Sequence, residues 1–249
     1  MTTTTIPLLL FAVLPYLCLL LFFLGTIMRY KKAPFTYSSL SSQFLENQQH
    51  FWDMVPFHYG ILFLFAGHLV GFLFPRQVLL WNRVPVRLYI LETSALMFAL
   101  LALVGLMGSL ERRLVNSKAR MVTSVHDWIV ELLLLVQIAV GIYIAVFHPW
   151  GSSWFASSLS PYLWSIMKFS PDITYLATLP LAVKLHILTA WLIFGFLPFT
   201  RLVHILVAPF PYLWRKPEVV RWYGYHLESA AFASGAGVRN VRKPSGPGA

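Results

Sequence analysis

The stretch FHYGILFLFAGHLVG, residues 57–71, decides how this chain is read, because it is apolar all round yet carries His58 and His68. A helix without a polar face belongs inside a large core or a membrane. An imidazole is costly in hydrocarbon, so a histidine there marks function by default. Far downstream, KLHILTAWLIFGFLPFTRLVH, residues 184–204, repeats the arrangement with His186 and His204. Two such pairs on two separate apolar runs read as a ligand set, against the alternative of four interhelical hydrogen-bond donors.

Composition agrees with the membrane reading. Of 249 residues 58% are hydrophobic and 11% charged, where a soluble domain carries about a quarter charged residues. Aromatic residues make up 16%, including nine Trp, as expected of interfacial belts. The net charge of +10 does not point to nucleic acid, because the basic residues sit in short loops between apolar runs. One cysteine, Cys18, excludes an intrachain disulfide, a Cys-x-x-Cys-His haem attachment site and an iron–sulfur cluster held by this chain alone. Any haem here is therefore b-type, held by axial ligands and packing.

Five windows reach the roughly 20 apolar residues that cross a bilayer: Ile6 to Met28, Val55 to Phe74, Val86 to Leu110, His126 to Phe147 and Leu181 to Val207. The expected fold is all-α, a bundle of five transmembrane helices, with Pro15 kinking the first. Residues 1–214 form the membrane domain and residues 215–249 a basic, partly disordered tail. The segment from Pro149 to Pro180 reads as a short interfacial helix instead of a sixth span. Fourteen basic residues fall on one side of this topology and five on the other. That imbalance places the N-terminus outside and the C-terminus in the cytoplasm.

Spans two and five then run in opposite directions. Depth alone pairs His58 with His204 near the cytoplasm and His68 with His186 near the outer surface. Ten residues separate the histidines of span two, ~15 Å along a helix axis, and eighteen separate those of span five, ~27 Å. The separations do not match, yet histidines ~15 Å apart on one helix cannot reach one metal, so a single site is excluded. Gly67 and Gly71 bracket His68 at the spacing that lets helices approach closely, and Gly60 lies beside His58; they read either as room for a flat macrocycle or as plain helix packing. His50, His126, His148 and His226 read as interfacial or solvated.

These residues also carry a resemblance. The runs 57–71 and 184–204, the early PYL…LGTIMRY (Pro15 to Tyr30) and the loop ERRL (Glu111 to Leu114) resemble the gamma subunit of membrane-bound respiratory nitrate reductase. The resemblance implies a dihaem cytochrome b with two b-type haems, one between His68 and His186 and one between His58 and His204. It implies quinol oxidation near the outer face, with electrons passing to an iron–sulfur subunit and a molybdenum catalytic subunit on the cytoplasmic side of a prokaryotic inner membrane. Where the family has a lysine at the start of span three, this chain has Arg87, a poor proton acceptor. Arg87 and Gly67 are candidates for the quinol site, with Arg87 alternatively an interfacial anchor. Arg112, Arg113 and Arg201 are candidates for haem-propionate contacts, or mark topology alone. Competing readings are a dihaem subunit of a heterodisulfide or sulfite reductase complex, and a non-haem transporter or assembly protein.

Overall fold

A computed structural model describes residues 2–33 and 48–207, so the tail expected at 215–249, with His226, lies outside the described residues. The described chain is helical throughout. In order it forms α1 (Thr2–Leu8), α2 (Leu14–Lys32), α3 (Gln48–Leu73), α4 (Pro75–Trp81), α5 (Pro85–Val115), α6 (Ser117–Met121), α7 (Val125–Phe147), α8 (Gly151–Trp154), α9 (Ser160–Met167) and α10 (Leu181–Phe196). Five helical stretches are long and apolar enough to cross a membrane: Thr5–Lys32, Trp52–Leu73, Pro85–Val115, Val125–Phe147 and Leu181–Phe199. Their outer surfaces expose Leu17, Leu20, Phe23, Leu62, Met97, Val104 and Leu132, as a lipid-facing bundle requires.

Local chemistry sets the boundaries. Pro75 and Pro85 each start a helix where the missing N–H costs nothing. Ser124 and Asp127 form a reciprocal capping box at the start of α7, and Asn116 caps α6. In the first span Pro15 cannot donate to the carbonyl of Phe11, and the backbone widens into a π-type turn over Leu9–Val13. The buried Tyr162 hydroxyl donates to the Phe11 carbonyl at 2.7 Å. Burial holds that hydroxyl well above the usual phenol range, so it stays a donor. Tyr162→Phe is expected to cost about 1–3 kcal/mol in thermal or denaturant unfolding, because the carbonyl then stays buried and unpaired.

The closest helix approach is between α3 and α5. A methyl on Gly60 would lie 2.6 Å from the backbone nitrogen of Ala102, and one on Gly105 2.5 Å from that of Phe57. Only glycine permits this contact at both sites. Beyond it, α5 packs on α7, α7 on α10 and α10 on α2.

Three expectations change. Gly60 and Gly71 make close contacts, Gly71 against the ring of Phe155, but no atom lies within 4 Å of a methyl built on Gly67, which faces open space. The segment after Pro149 forms α8, a π-type turn at Phe155–Leu159 and α9, and it is more deeply packed than an interfacial helix. Leu159, Tyr162 and Ile166 are buried in a core with Phe11, Ile144, Val183 and Ile187. Ser160 and Trp164 donate to the carbonyls of Gly71 and Phe72, which ties the segment to the end of α3.

The third change concerns span five, which does not run straight to Val207. The α-helix ends at Phe196, Leu197–Phe199 form a 3-10 turn, Thr200 is extended at φ −122°, and Arg201–Val207 form a second 3-10 turn. Pro198 supplies the cause, since it removes a helical donor and its ring disfavours continuing the α-helix.

Candidate functional site

The break in span five removes the mismatch between the two histidine separations. A straight-helix distance between His186 and His204 does not apply, because His204 lies on the 3-10 segment beyond Thr200. The rings of His58 and His204 face each other with centroids 6.2 Å apart, and those of His68 and His186 with centroids 6.3 Å apart. These are the pairs that depth alone predicts.

That spacing can be tested against a bound metal. Imidazole nitrogens bind a metal at about 2 Å, so a metal between two of them sets the nitrogens about 4 Å and the ring centres about 6 Å apart. Both pairs meet the ring-centre distance. Among the described residues no cluster of three or more His, Cys, Asp or Glu forms a metal site, so each pair offers two protein donors. A group bound there must bring its remaining donors itself, as a haem macrocycle does.

The hydrogen bonds orient the rings for the same purpose. Nδ1 of His58 lies 2.7 Å from the Met54 carbonyl, Nδ1 of His68 2.7 Å from that of Leu64, and Nδ1 of His204 2.7 Å from that of Arg201. Each Nδ1–H therefore donates to backbone, and Nε2 keeps its lone pair for a metal. His186 differs. The Gln137 amide donates to its Nε2 at 3.1 Å, and its Nδ1 is buried without a hydrogen-bond partner. With Nε2 accepting, the neutral ring carries its proton on Nδ1, so a metal would take the Nε2 lone pair in place of the Gln137 amide. Thr189 anchors Gln137 in turn by donating to its Oε1. On the same helix as Gln137, Gly141 sits against the His186 ring, 3.1 Å from where its methyl would be.

Gln137 is a neighbour that the sequence reading missed. Arg29 is another, since it counts in the sequence only as topology. Its Nη1 donates to the carbonyls of Pro198 and Thr200, both at 2.7 Å, which are left without helical donors by the break in span five. Arg29 thereby holds the segment that carries His204. Arg29→Met is expected to weaken that segment by about 1.5–3 kcal/mol, the range for hydrogen bonds to charged groups. Metal loading of the purified variant should fall at His58/His204 and stay intact at His68/His186.

Arg112, Arg113 and Arg201 gather at the His58/His204 end, each against a carboxylate. Arg112 Nε lies 3.2 Å from Asp53, with both side chains buried. Arg113 Nε lies 3.1 Å from Glu131, and Arg201 Nε 2.9 Å from Asp127. Arg201 also donates to the Val122 carbonyl, which fastens the 3-10 segment to the start of α7. The signal for these partners was present, because Asp53 and Glu131 are carboxylates in or beside apolar runs and such groups usually need a partner.

At the other end, Arg87 is exposed, its guanidinium 5.1 Å from the centre of the Trp81 ring, whose indole N–H donates to the Arg87 carbonyl. The open side of Gly67 lies next to His68. Of the other histidines, His126 stacks on Phe196 and His148 lies edge-on to Tyr143.

Comparison with known proteins follows the same lines. The profile of the nitrate reductase gamma subunit family matches residues 7–223. The chain is 35% identical over 214 residues to the respiratory nitrate reductase 2 gamma chain of Escherichia coli K12, covering 83% of this chain and 93% of that one. It is 32% identical over 216 residues to the nitrate reductase gamma chain of Bacillus subtilis 168, covering 85% and 96%. A third relative, the respiratory nitrate reductase 1 gamma chain of E. coli K12, is 30% identical over 216 residues, covering 85% of this chain and 95% of its own.

Proposed function

The chain belongs to the nitrate reductase gamma subunit family, and we propose that it is the dihaem, quinol-oxidising membrane subunit of a respiratory nitrate reductase. A b-type haem held between His68 and His186, and a second between His58 and His204, would each supply one-electron redox chemistry at iron. The observation that carries this reading is the shared ring spacing of 6.2 and 6.3 Å in two pairs assembled from separate helices.

The chain's own residues supply position and environment. Backbone carbonyls of Met54, Leu64 and Arg201 fix the ring tautomers and strengthen the imidazoles as ligands. The histidines of α3 lie about 15 Å apart along its axis, which sets the two sites at successive depths. Quinol is oxidised at the His68/His186 end, where Gly67 leaves open space. Electrons leave at the His58/His204 end for partner subunits that carry iron–sulfur clusters and molybdenum, chemistry this chain leaves to others because it has one cysteine, Cys18, buried under Gly195. The basic residues Arg112, Arg113, Lys118, Arg120 and Arg201 at that end support a cytoplasmic orientation for it in a prokaryotic inner membrane, with the N-terminus outside.

Turnover of quinol in right-side-out and inverted vesicles tests both function and orientation. Protons should appear on the outer side while nitrate is consumed on the cytoplasmic side; protons released on the cytoplasmic side contradict the reading.

A further inference from the structure

Arg87 is the charged group nearest the start of span three, yet an arginine is a poor base. Two turns into α5 the same helix carries Glu92, partly buried, whose Oε1 accepts the Ser152 backbone N–H at 2.8 Å and the Ser152 hydroxyl at 2.6 Å. Its Oε2 lies beside Gly151 and accepts no hydrogen bond among the described residues. We propose that Glu92 is the proton-accepting group of the quinol site, taking up the hydroxyl proton of a quinol bound at the His68/His186 end. The proposal rests on the quinol-oxidising reading above.

Three observations converge on it. First, Glu92 is an ionisable side chain in a membrane span and enters no ion pair among the described residues, unlike Asp53, Asp127 and Glu131. A neutral amide would accept the Ser152 hydrogen bonds equally well, so a charge at this depth needs a use beyond tethering. Second, the tether leads to the histidines. Ser152 and Phe155 are about one helical turn apart, and the Phe155 ring meets His68 edge-on at 5.4 Å. Third, the turn that offers Ser152 to Glu92 is built at a cost. Trp150 sits in the left-handed region at φ 66°, a conformation bulky residues avoid and that concentrates at functional sites. Asn82 braces this turn by donating to the hydroxyls of Ser152 and Ser153, both at 2.9 Å, and its own Oδ1 is buried without a partner, an acceptor able to receive a second hydroxyl.

On the elements that meet this turn, the charged and titratable side chains are Arg87 and Tyr89 on α5, Arg76 on α4, Arg83 just after α4 and His148 just before the turn, with His68 against Phe155. The segment from Gly151 to Phe155 brings none. In the step itself the quinol O–H bond breaks and its proton forms the carboxylic acid at Oε2. The two electrons would be taken, one at a time, by the b-type haem proposed between His68 and His186 and finally by nitrate. Glu92 then returns the proton to water on that face of the membrane, twice for each quinol oxidised. Only the carboxylate can accept the proton, so quinol oxidation requires the ionised side chain.

The test compares wild type, Glu92→Gln and Ser152→Ala in the intact complex, with menadiol as quinol. Glu92→Gln should keep its haem spectrum and reoxidise reduced haem with nitrate at the wild-type rate. Its haem reduction by menadiol should slow about a hundredfold and lose the acidic limb of the pH profile. Infrared difference spectra on menadiol addition should show a protonated-carboxyl band in wild type and Ser152→Ala, and none in Glu92→Gln. A wild-type rate and limb in Glu92→Gln would overturn the proposal, since the carboxylate would then act only as a tether. Failure of the wild-type complex to oxidise menadiol or any other quinol would remove the underlying reading and the proposal with it.

Discussion

Replacing His68 or His186 with alanine should lower the haem content from two per chain to one and abolish quinol-dependent nitrate reduction. Each imidazole would supply one of the two protein ligands to the proposed haem, and the facing ring, 6.3 Å away, cannot shift enough to supply both. The haem between His58 and His204 should remain, because its ligands sit near the other end of α3 and are held by Met54, Arg29 and Arg201. Electrons delivered directly to that haem by a soluble reductant should still reach nitrate. The two variants should also differ. His68 is exposed in the isolated chain, so added imidazole should restore its haem; His186 is enclosed by Gln137 and Gly141 and should resist rescue. Difference spectra and pyridine haemochrome counts on the purified complex measure both effects.

A second large effect is expected from Asp53→Ala. Asp53 and Arg112 are a buried ion pair at 3.2 Å, set where Gly105 and Gly108 let α3 lie against α5. Removing the acid leaves a guanidinium in an apolar interface, a change that costs about 3–5 kcal/mol. Since His58 is little more than a turn further along α3, the His58/His204 site should loosen with the interface. The double variant Asp53→Leu/Arg112→Met should regain much of the loss, because two apolar side chains leave no unpaired charge. Thermal unfolding in detergent, followed by haem release, measures this. Recovery of haem binding in the double variant would also show that Arg112 acts through Asp53 and not through a propionate.

Five spans and the pairing of histidines by depth were legible in the sequence, for physical reasons. Hydropathy needs only length and composition, and helices that run in opposite directions put the first histidine of one level with the second of the other. The expected separations failed at one residue, Pro198. Its place within an apolar run invited a continuous helix to Val207, and the resulting ~27 Å spacing disagreed with α3 until the chain was seen to break at Thr200. Glycine roles depended on which face each one occupied. Gly60 meets the backbone of Ala102, whereas Gly67, seven residues later, meets nothing. Which groups pair with Asp53 and Arg29 was not legible, although an acid in an apolar run signals that it needs a partner. Asp53 and Arg112 are 59 residues apart, Arg29 and Thr200 are 171 apart, and only the fold brings them together. The acceptor role proposed for Glu92 has the same origin, because Ser152 reaches it from the segment after span four.

Two histidines of α3 and two of span five are proposed to hold two b-type haems. The most direct test is a pyridine haemochrome assay on the purified wild-type complex, with this chain quantified in the same sample. Two b-type haems per chain is the predicted result; one haem, or none, would contradict it.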